Sequence, residues 1–495
     1  MPEAINPPAG HSHSLITSPS PGLTEFTAFL IDKKQSFDLV SNRRPFTRIV
    51  SIPNSSMRGY STPFLAIWAC FSIGIPMAAC FDPVIPTGPA IPVSARTLKP
   101  NDTLLFVHVV WRHGDRAPTM TYPTDPHQES SWPNGWGELT QLGMLQQYAL
   151  GQLLRGRYIT GDNPLLEKYN PKQVYIRSTD VNRTLISAYA NLAGMFTSGE
   201  AGHDYPAING WPSGWTPIPV HTLLENEDHA GNVFAPCPRA DQLDDELRHS
   251  KEYSQIEQDS QEFLDFLSNK TGMKVDLKNI YLINDAHFIE NLYNLTQPEW
   301  ITPAVADRLR NLTLIADEYN YGISKPYVPE LIRLRGGPML RSIVDLMNHK
   351  LDCLTKSDNR DHCSWIRNLK YYAFSAHDTT VAALLSTFGD EREVIHGGLP
   401  KYTASVAVEL WQLEEGPAVR ILFHGAFHHK YHTITHLTKG CPKDNEFCPL
   451  TVFEKRSRQF MPVDVKKECE RRPRSNRTRF HKVIWRSSRP LPRRA

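Results

Sequence analysis

Along the 495-residue chain, apolar positions fall into short unbroken runs that alternate with stretches of helical spacing. Leu104–Val110 (LLFVHVV) is continuous apart from one histidine, the pattern of a strand buried on both faces of a parallel sheet. Thr140 opens a helix predicted to run to about Arg157, with Leu142, Leu145, Ala149 and Leu153 as its inner face. Gln173–Arg177 (QVYIR) reads as the next strand, and Val181–Phe196 as the helix after it. The tract His203–Arg333 carries little β signal; Ile256–Leu267 and Val305–Tyr319 within it are amphipathic, as expected of an inserted helical cap. Strand character returns at Tyr371–Ala376, followed by a helical Val381–Phe388. Ala404–Trp411 and Val419–Phe423, joined across Glu415-Gly416-Pro417, predict an antiparallel hairpin at the sheet edge. Strands alternating with helices imply an α/β protein with an open, mostly parallel sheet. Residues 103–202 and 334–469 would form the body and 203–333 the cap.

One apolar run stands outside this scheme. Pro63–Ala79 (PFLAIWACFSIGIPMAA) is uncharged, follows Met57-Arg58 and ends at the small residues Ala78, Ala79 and Cys80. That is the form of a secretory signal peptide, cleaved near Ala79 or Cys80. Residues 57–80 are read in this way, and 1–56 as a disordered leader upstream of a natural initiator at Met57. A signal anchor is the rival reading, which would leave the chain tethered to a membrane. The run falls short of the ~20 residues a span needs, and Pro63 and Pro76 interrupt it.

Charge changes the picture at the other end. The totals, 54 Lys and Arg against 52 Asp and Glu, conceal ten basic residues and one acidic between Glu470 and Ala495. Phe81–Cys469 carries 38 basic against 47 acidic residues, a net of −9, so no nucleic acid is expected on the core. Residues 470–495 read as a disordered basic tail suited to contact with anionic surfaces. The 39 prolines exceed the usual ~5% and suit a loop-rich secreted fold.

Removal of the leader leaves Cys237, Cys353, Cys363, Cys441, Cys448 and Cys469. An even number in a secreted chain favours disulfides, with fifteen pairings open. Cys353–Cys363 and Cys441–Cys448 are close in sequence, which would leave Cys237 with Cys469. Sequons at Asn101, Asn269, Asn294 and Asn311 are candidate glycosylation sites. Asn182 and Asn476 also fit the sequon, but Asn182 is expected too near the active site to carry a glycan. His428, His432 and His436 recur every four residues, with His424 and His429 nearby; the segment Lys430–Ile434 reads as extended, which separates them too far to share a metal. No metal and no cofactor are expected.

Three predicted strands end on reactive residues: Arg112-His113-Gly114-Asp115-Arg116, Arg177-Ser178-Thr179-Asp180 and Ser375-Ala376-His377-Asp378. Ligands of open α/β sheets sit outside the carboxyl ends of the strands, where these segments would converge. Clustered arginines call for a multiply charged anion, and guanidinium forks match phosphate oxygens. His113 supplies a nucleophile, and Asp378 an acid for the leaving group. Phosphoryl transfer is the chemistry these groups suggest.

Arg112–Pro118 (RHGDRAP) with Ser375–Thr380 (SAHDTT) resembles the histidine acid phosphatase family, in its prostatic and lysosomal branch. The likeness extends through Tyr122–Asp125 (YPTD), Ser131–Pro133 (SWP), Leu139–Met144 (LTQLGM), Gln173–Thr184 (QVYIRSTDVNRT), Ile218–His221 (IPVH) and Cys237-Pro238-Arg239, over roughly Thr103–Cys469. The resemblance implies a doubly wound sheet with helices on both faces and a smaller α-helical cap. It implies hydrolysis of phosphate monoesters through a phosphohistidine at His113, proton donation by Asp378, and phosphate binding by Arg112, Arg116, Arg177 and His377. Family members are often homodimers, and Trp215 with His221 lies in a matching interface segment. One family disulfide lacks both partners here, around His287 and Ser405. The basic tail in place of a carboxyl-terminal membrane span suggests the secreted type over the lysosomal one. Rival functions are a phytase-like or lipid-phosphate-directed relative, a phosphoglycerate mutase-like phosphotransferase, and a catalytically inactive secreted binding protein.

Overall fold

The computed structural model describes residues 96–355, 363–395, 398–427 and 429–472. The predicted leader and signal segment, most of the basic tail, Asn476 and His428 lie outside the described residues.

The sheet is built on β1 (Thr103–Arg112), β2 (Val174–Ser178), β3 (Val220–His221), β4 (Tyr371–Ala376), β5 (Ser405–Leu413), β6 (Gly416–His424) and β7 (His432–Thr433). Their spatial order is β3-β2-β4-β1-β5-β6-β7, with β8 (Cys448–Pro449) also pairing with β6. β3, β2, β4 and β1 run parallel, while β5 is antiparallel to β1 and to β6, so the predicted hairpin does extend one side of the sheet. Both faces of β1 are covered, which explains its unbroken apolar run. Val107, Val109 and Trp111 pack with Leu150, Leu154, Ala188 and Leu192, from α1 (Gln141–Tyr158) and α2 (Asn182–Met195). On the opposite face Phe106 and Val110 pack with Leu340, Ile343, Leu384 and Leu385, from α8 (Gly337–Thr355) and α9 (Asp378–Phe388). The expected doubly wound arrangement is present.

Thr140 caps α1 as expected, accepting from the Gly143 amide. The inner face differs from the one expected. Gly143, Gln146, Gln147, Leu150, Gly151, Leu154 and Tyr158 are buried, whereas Leu145 is 50% exposed. The reason is backbone proximity: a Cβ on Gly151 would meet the Asn191 carbonyl of α2 at 2.0 Å, and one on Gly194 would meet that of Tyr148 at 2.0 Å. Glycine marks the close contact with α2, beside Leu150 and Leu154.

Between β2 and β4 the chain forms α3 (Pro238–Arg248), α4 (Lys251–Thr271), α5 (Tyr281–Leu292), α6 (Pro303–Tyr321) and α7 (Pro329–Arg335). Leu243, Leu247, Phe263, Leu264, Leu267, Ile283, Leu309 and Leu331 give these helices a core of their own. The same tract also supplies β3 to the main sheet, an excursion too short to leave a periodic signal. α10 (Glu391–Ile395), α11 (Leu450–Ser457) and α12 (Val465–Glu468) complete the described helices. Disulfides join Cys237 to Cys469, Cys353 to Cys363 and Cys441 to Cys448, the three pairs expected.

Candidate active site

Strand register brings the three polar segments together. Arg112 is level with Ala376 across β1 and β4, and Ser178 is level with Ser375 across β2 and β4. His113, His377 and Thr179 therefore leave the sheet side by side. Trp111 Nε1 donates to Ser375 Oγ at 2.9 Å, and that hydroxyl donates to the Thr184 carbonyl at 2.7 Å, tying β1, β4 and α2 directly beneath the site.

His113 is 2% exposed, and its Nδ1 lies 2.8 Å from the Gly114 carbonyl. A carbonyl only accepts, so Nδ1 carries the proton and Nε2 keeps its lone pair. Gly114 is required for this turn, because a Cβ there would sit 2.2 Å from the Gly143 carbonyl. Burial, then the charges of Arg112, Arg183 and Arg116, push the His113 imidazole well below its usual range, so it stays neutral. The His377 ring stands edge-on to it, with centroids 5.7 Å apart.

A chain of hydroxyls fixes the second histidine. Thr184 Oγ1 donates to the Val181 carbonyl at 2.8 Å or that of Thr179 at 3.0 Å, so at 2.8 Å it accepts from Thr179 Oγ1. Thr179 then has only lone pairs for His377 Nε2 at 3.0 Å, which must donate. Burial and Arg183 push His377 down to about 3. Asp378 opens α9, and its carboxylate meets Arg112 Nη2 at 2.8 Å. Burial acts to raise Asp378, but Arg112, Arg116 and His377 outweigh it and hold the carboxyl below its usual range.

The arginines divide into two sets. Arg112 donates to the Pro400 carbonyl at 2.6 Å, and Arg116 makes a two-pronged bond to Asp285 of α5 at 2.9 and 3.1 Å. Arg112, Arg116 and Arg183 each retain a buried Nε with no hydrogen-bond partner. An unmet buried donor costs about 1–3 kcal/mol, and three of them around one pair of histidines suit an anion. Arg177 is not among them. It projects from within β2 over the Phe374 ring, 4.7 Å from its centroid, and pairs with the buried Asp228 at 3.2 Å. That pairing already neutralises Arg177, whereas Arg183, in the first turn of α2, is close enough for its charge to act on both histidines.

The sequence pattern of the histidine phosphatase superfamily (branch 2) matches residues 103–424. The chain belongs to this superfamily. It is 36% identical over 382 residues to the lysosomal acid phosphatase of Rattus norvegicus, covering 77% of this chain and 82% of that protein. It is 36% identical over 369 residues to the prostatic acid phosphatase of Bos taurus, covering 74% and 87%. Among solved structures, the apo phytase of Hafnia alvei matches with a TM-score of 0.53 at 17% identity, over 76% of this chain and all of that one. The phytase of Citrobacter braakii matches with a TM-score of 0.54 at 18% identity, over 74% and 99%. At such identities these two likenesses establish the fold.

Within this superfamily member, sequence reasoning brought together His113, His377, Asp378, Arg112 and Arg116 but missed Arg183 and Asp285. Arg183 did carry a signal: it is the second arginine of QVYIRSTDVNRT, placed past the strand end in the first turn of the helix that follows. Asp285 lies on a cap helix 169 residues from Arg116 and carried none. Asn101, Asn269, Asn294 and Asn311 are all exposed, and the Asn182 side chain donates to Glu138 at 3.0 Å. Among the described residues, one group of three or more side chains could converge on a metal: His349 with Cys353 and Cys363, whose sulfurs are joined in a disulfide. No helix among the described residues is long and apolar enough to cross a membrane.

Proposed function

We propose that this chain is an acid phosphatase of the secretory pathway that hydrolyses phosphate monoesters through a phosphohistidine at His113. The observation that carries this is a neutral imidazole, with its Nε2 lone pair free, set among three guanidinium groups with unmet buried donors. The phosphoryl dianion occupies those donors. Nε2 attacks phosphorus, the bond to the ester oxygen breaks, and Arg112, Arg116 and Arg183 hold the equatorial oxygens, joined by His377 once the bound dianion raises it and its Nδ1 takes up a proton. Asp378 protonates the departing alkoxide. Water then attacks the phosphohistidine, gives its proton to Asp378, and releases phosphate with His113 restored.

Asp378 must be protonated for the first step, yet Arg112 holds it ionised in the free protein. A bound dianion offsets that same guanidinium and raises the carboxyl, and acidic medium completes the protonation. The activity should therefore peak at acidic pH. A pH profile of p-nitrophenyl phosphate hydrolysis by the wild type and His113→Ala tests this reading; equal turnover by the two proteins would defeat it.

The same proposal assigns residues 103–202 and 334–469 to the catalytic body and 203–333 to the cap. It places the protein in the secreted or endolysosomal lumen, with glycans on Asn101, Asn269, Asn294 and Asn311. It includes a homodimer across the β3 edge, supported by the 44% exposure of Trp215 beside that strand.

A further inference from the structure

Tyr402 lies in the segment between α10 and β5 and is 7% exposed. Its ring lies beneath the Arg112 guanidinium, 4.3 Å from ring centroid to Cζ, and 6.0 Å from the His113 ring. The surrounding backbone is held from both sides: Pro400 accepts from Arg112, and the Thr403 amide donates to the His113 carbonyl at 3.3 Å. Thr403 adopts a φ of 64°, in the left-handed region that costs a β-branched residue energy. Strain of this kind persists where surrounding contacts fix the chain, and here it fixes Tyr402 against the two residues that open the catalytic motif.

The Tyr402 hydroxyl is buried without a hydrogen-bond partner. The charges that act on it belong to Arg116, Asp115, Arg112 and Asp285. Neither carboxylate takes its proton. Both oxygens of Asp285 are held by Arg116 and Asp115 Oδ2 is bonded by Thr140 and Tyr293, while Asp115 Oδ1 is buried with no hydrogen-bond partner and so receives none from Tyr402. A hydroxyl left unmet among phosphate-binding arginines has the same deficit as their three Nε atoms, and one anion can remove all four. Resting on the phosphatase reading above, we propose that Tyr402 is a further catalytic residue, whose hydroxyl donates a hydrogen bond to a phosphoryl oxygen of the bound ester.

Tyr402→Phe keeps the ring under Arg112 and removes only the donor. In the full chain, calorimetric titration with inorganic phosphate should show about tenfold weaker binding, and kcat/KM for p-nitrophenyl phosphate should fall about tenfold or more. Tyr402→Leu, which also removes the ring, should weaken phosphate at least as much. Phosphate affinity and kcat/KM both unchanged in Tyr402→Phe would overturn the proposal, as would a loss confined to Tyr402→Leu, since packing alone would then account for it. Wild-type protein that binds phosphate through Tyr402 yet hydrolyses no ester would sink the phosphatase reading and leave this contact standing.

Discussion

Arg177 and Arg183 are six residues apart, and exchanging their roles would misassign the site, so the pair merits a direct test. Arg183→Gln removes a guanidinium whose buried Nε has no protein partner and whose charge, after burial, acts most strongly on His377. A hydrogen bond to a charged group is worth about 1.5–3 kcal/mol, and a donor aimed at transition-state charge about 10²–10³ in rate. The expected loss in kcat/KM for p-nitrophenyl phosphate is therefore about a hundredfold, with the melting temperature little changed. His377, freed of that charge, should titrate higher. Arg177→Met should behave in the opposite way. Asp228 is 1% exposed and would be left as a buried carboxylate without its cation, a loss of about 3–5 kcal/mol in stability. Its melting temperature should drop by several degrees while the folded fraction keeps its kcat/KM. Combining Arg177→Met with Asp228→Asn should recover much of that stability, because both charges then leave together. A hundredfold loss of kcat/KM in Arg177→Met, with Arg183→Gln near wild type, would refute the assignment.

Further outcomes follow from the same geometry. Asp378→Asn should slow alkyl phosphates about 10²–10⁴-fold but p-nitrophenyl phosphate far less, because nitrophenolate leaves without a proton; equal losses in steady-state rates would contradict the acid role. Burial pushes Asp390 up to about 8 from 3.8. An acid raised in the folded state contributes stability that is complete below its unfolded value and is lost as pH rises through the folded one. The melting temperature of Asp390→Asn relative to wild type should therefore climb between pH 5 and pH 8, and a difference independent of pH would count against this. Prolonged dialysis against a chelator should leave turnover intact, and activity lost to it but restored by zinc would point to a metal the proposed mechanism does not use.

What the sequence made legible follows from where each signal resides. β1 and β4 are buried on both faces, so their apolar runs were unambiguous, and the residues directly after them inherited well-defined positions. That is why His113, His377 and Asp378 could be brought together before any coordinates. Apolar periodicity failed at α1 because its inner face mixes Leu150 and Leu154 with Gly143, Gln146, Gln147 and Gly151, and close backbone contact through Gly151 and Gly194 sets which side faces in. It failed at β3 because two residues are too few to carry a period.

The sequence points to Arg177 and not to Arg183 for a subtler reason. Strand-end logic favours the residue that closes the apolar run, yet a side chain still inside a strand projects onto a face of the sheet. Arg177 therefore meets Phe374 and the buried Asp228. The residue that reaches over the strand ends comes from the next element, where the first helical turn directs its side chain back toward the site. Asp285 and Tyr402 were beyond reach altogether. One is delivered by the cap and the other by a loop with left-handed backbone at Thr403, and each acquires meaning only from the arginine it touches. Motif residues set the reaction, while the residues that aim them arrive from distant segments whose local sequence is under no periodic constraint. The charge balance at Arg116 belongs to that second group. Its two-pronged bond to Asp285 ties the loop after β1 to α5, so the guanidinium is oriented from a helix far away in sequence while its buried Nε stays without a partner.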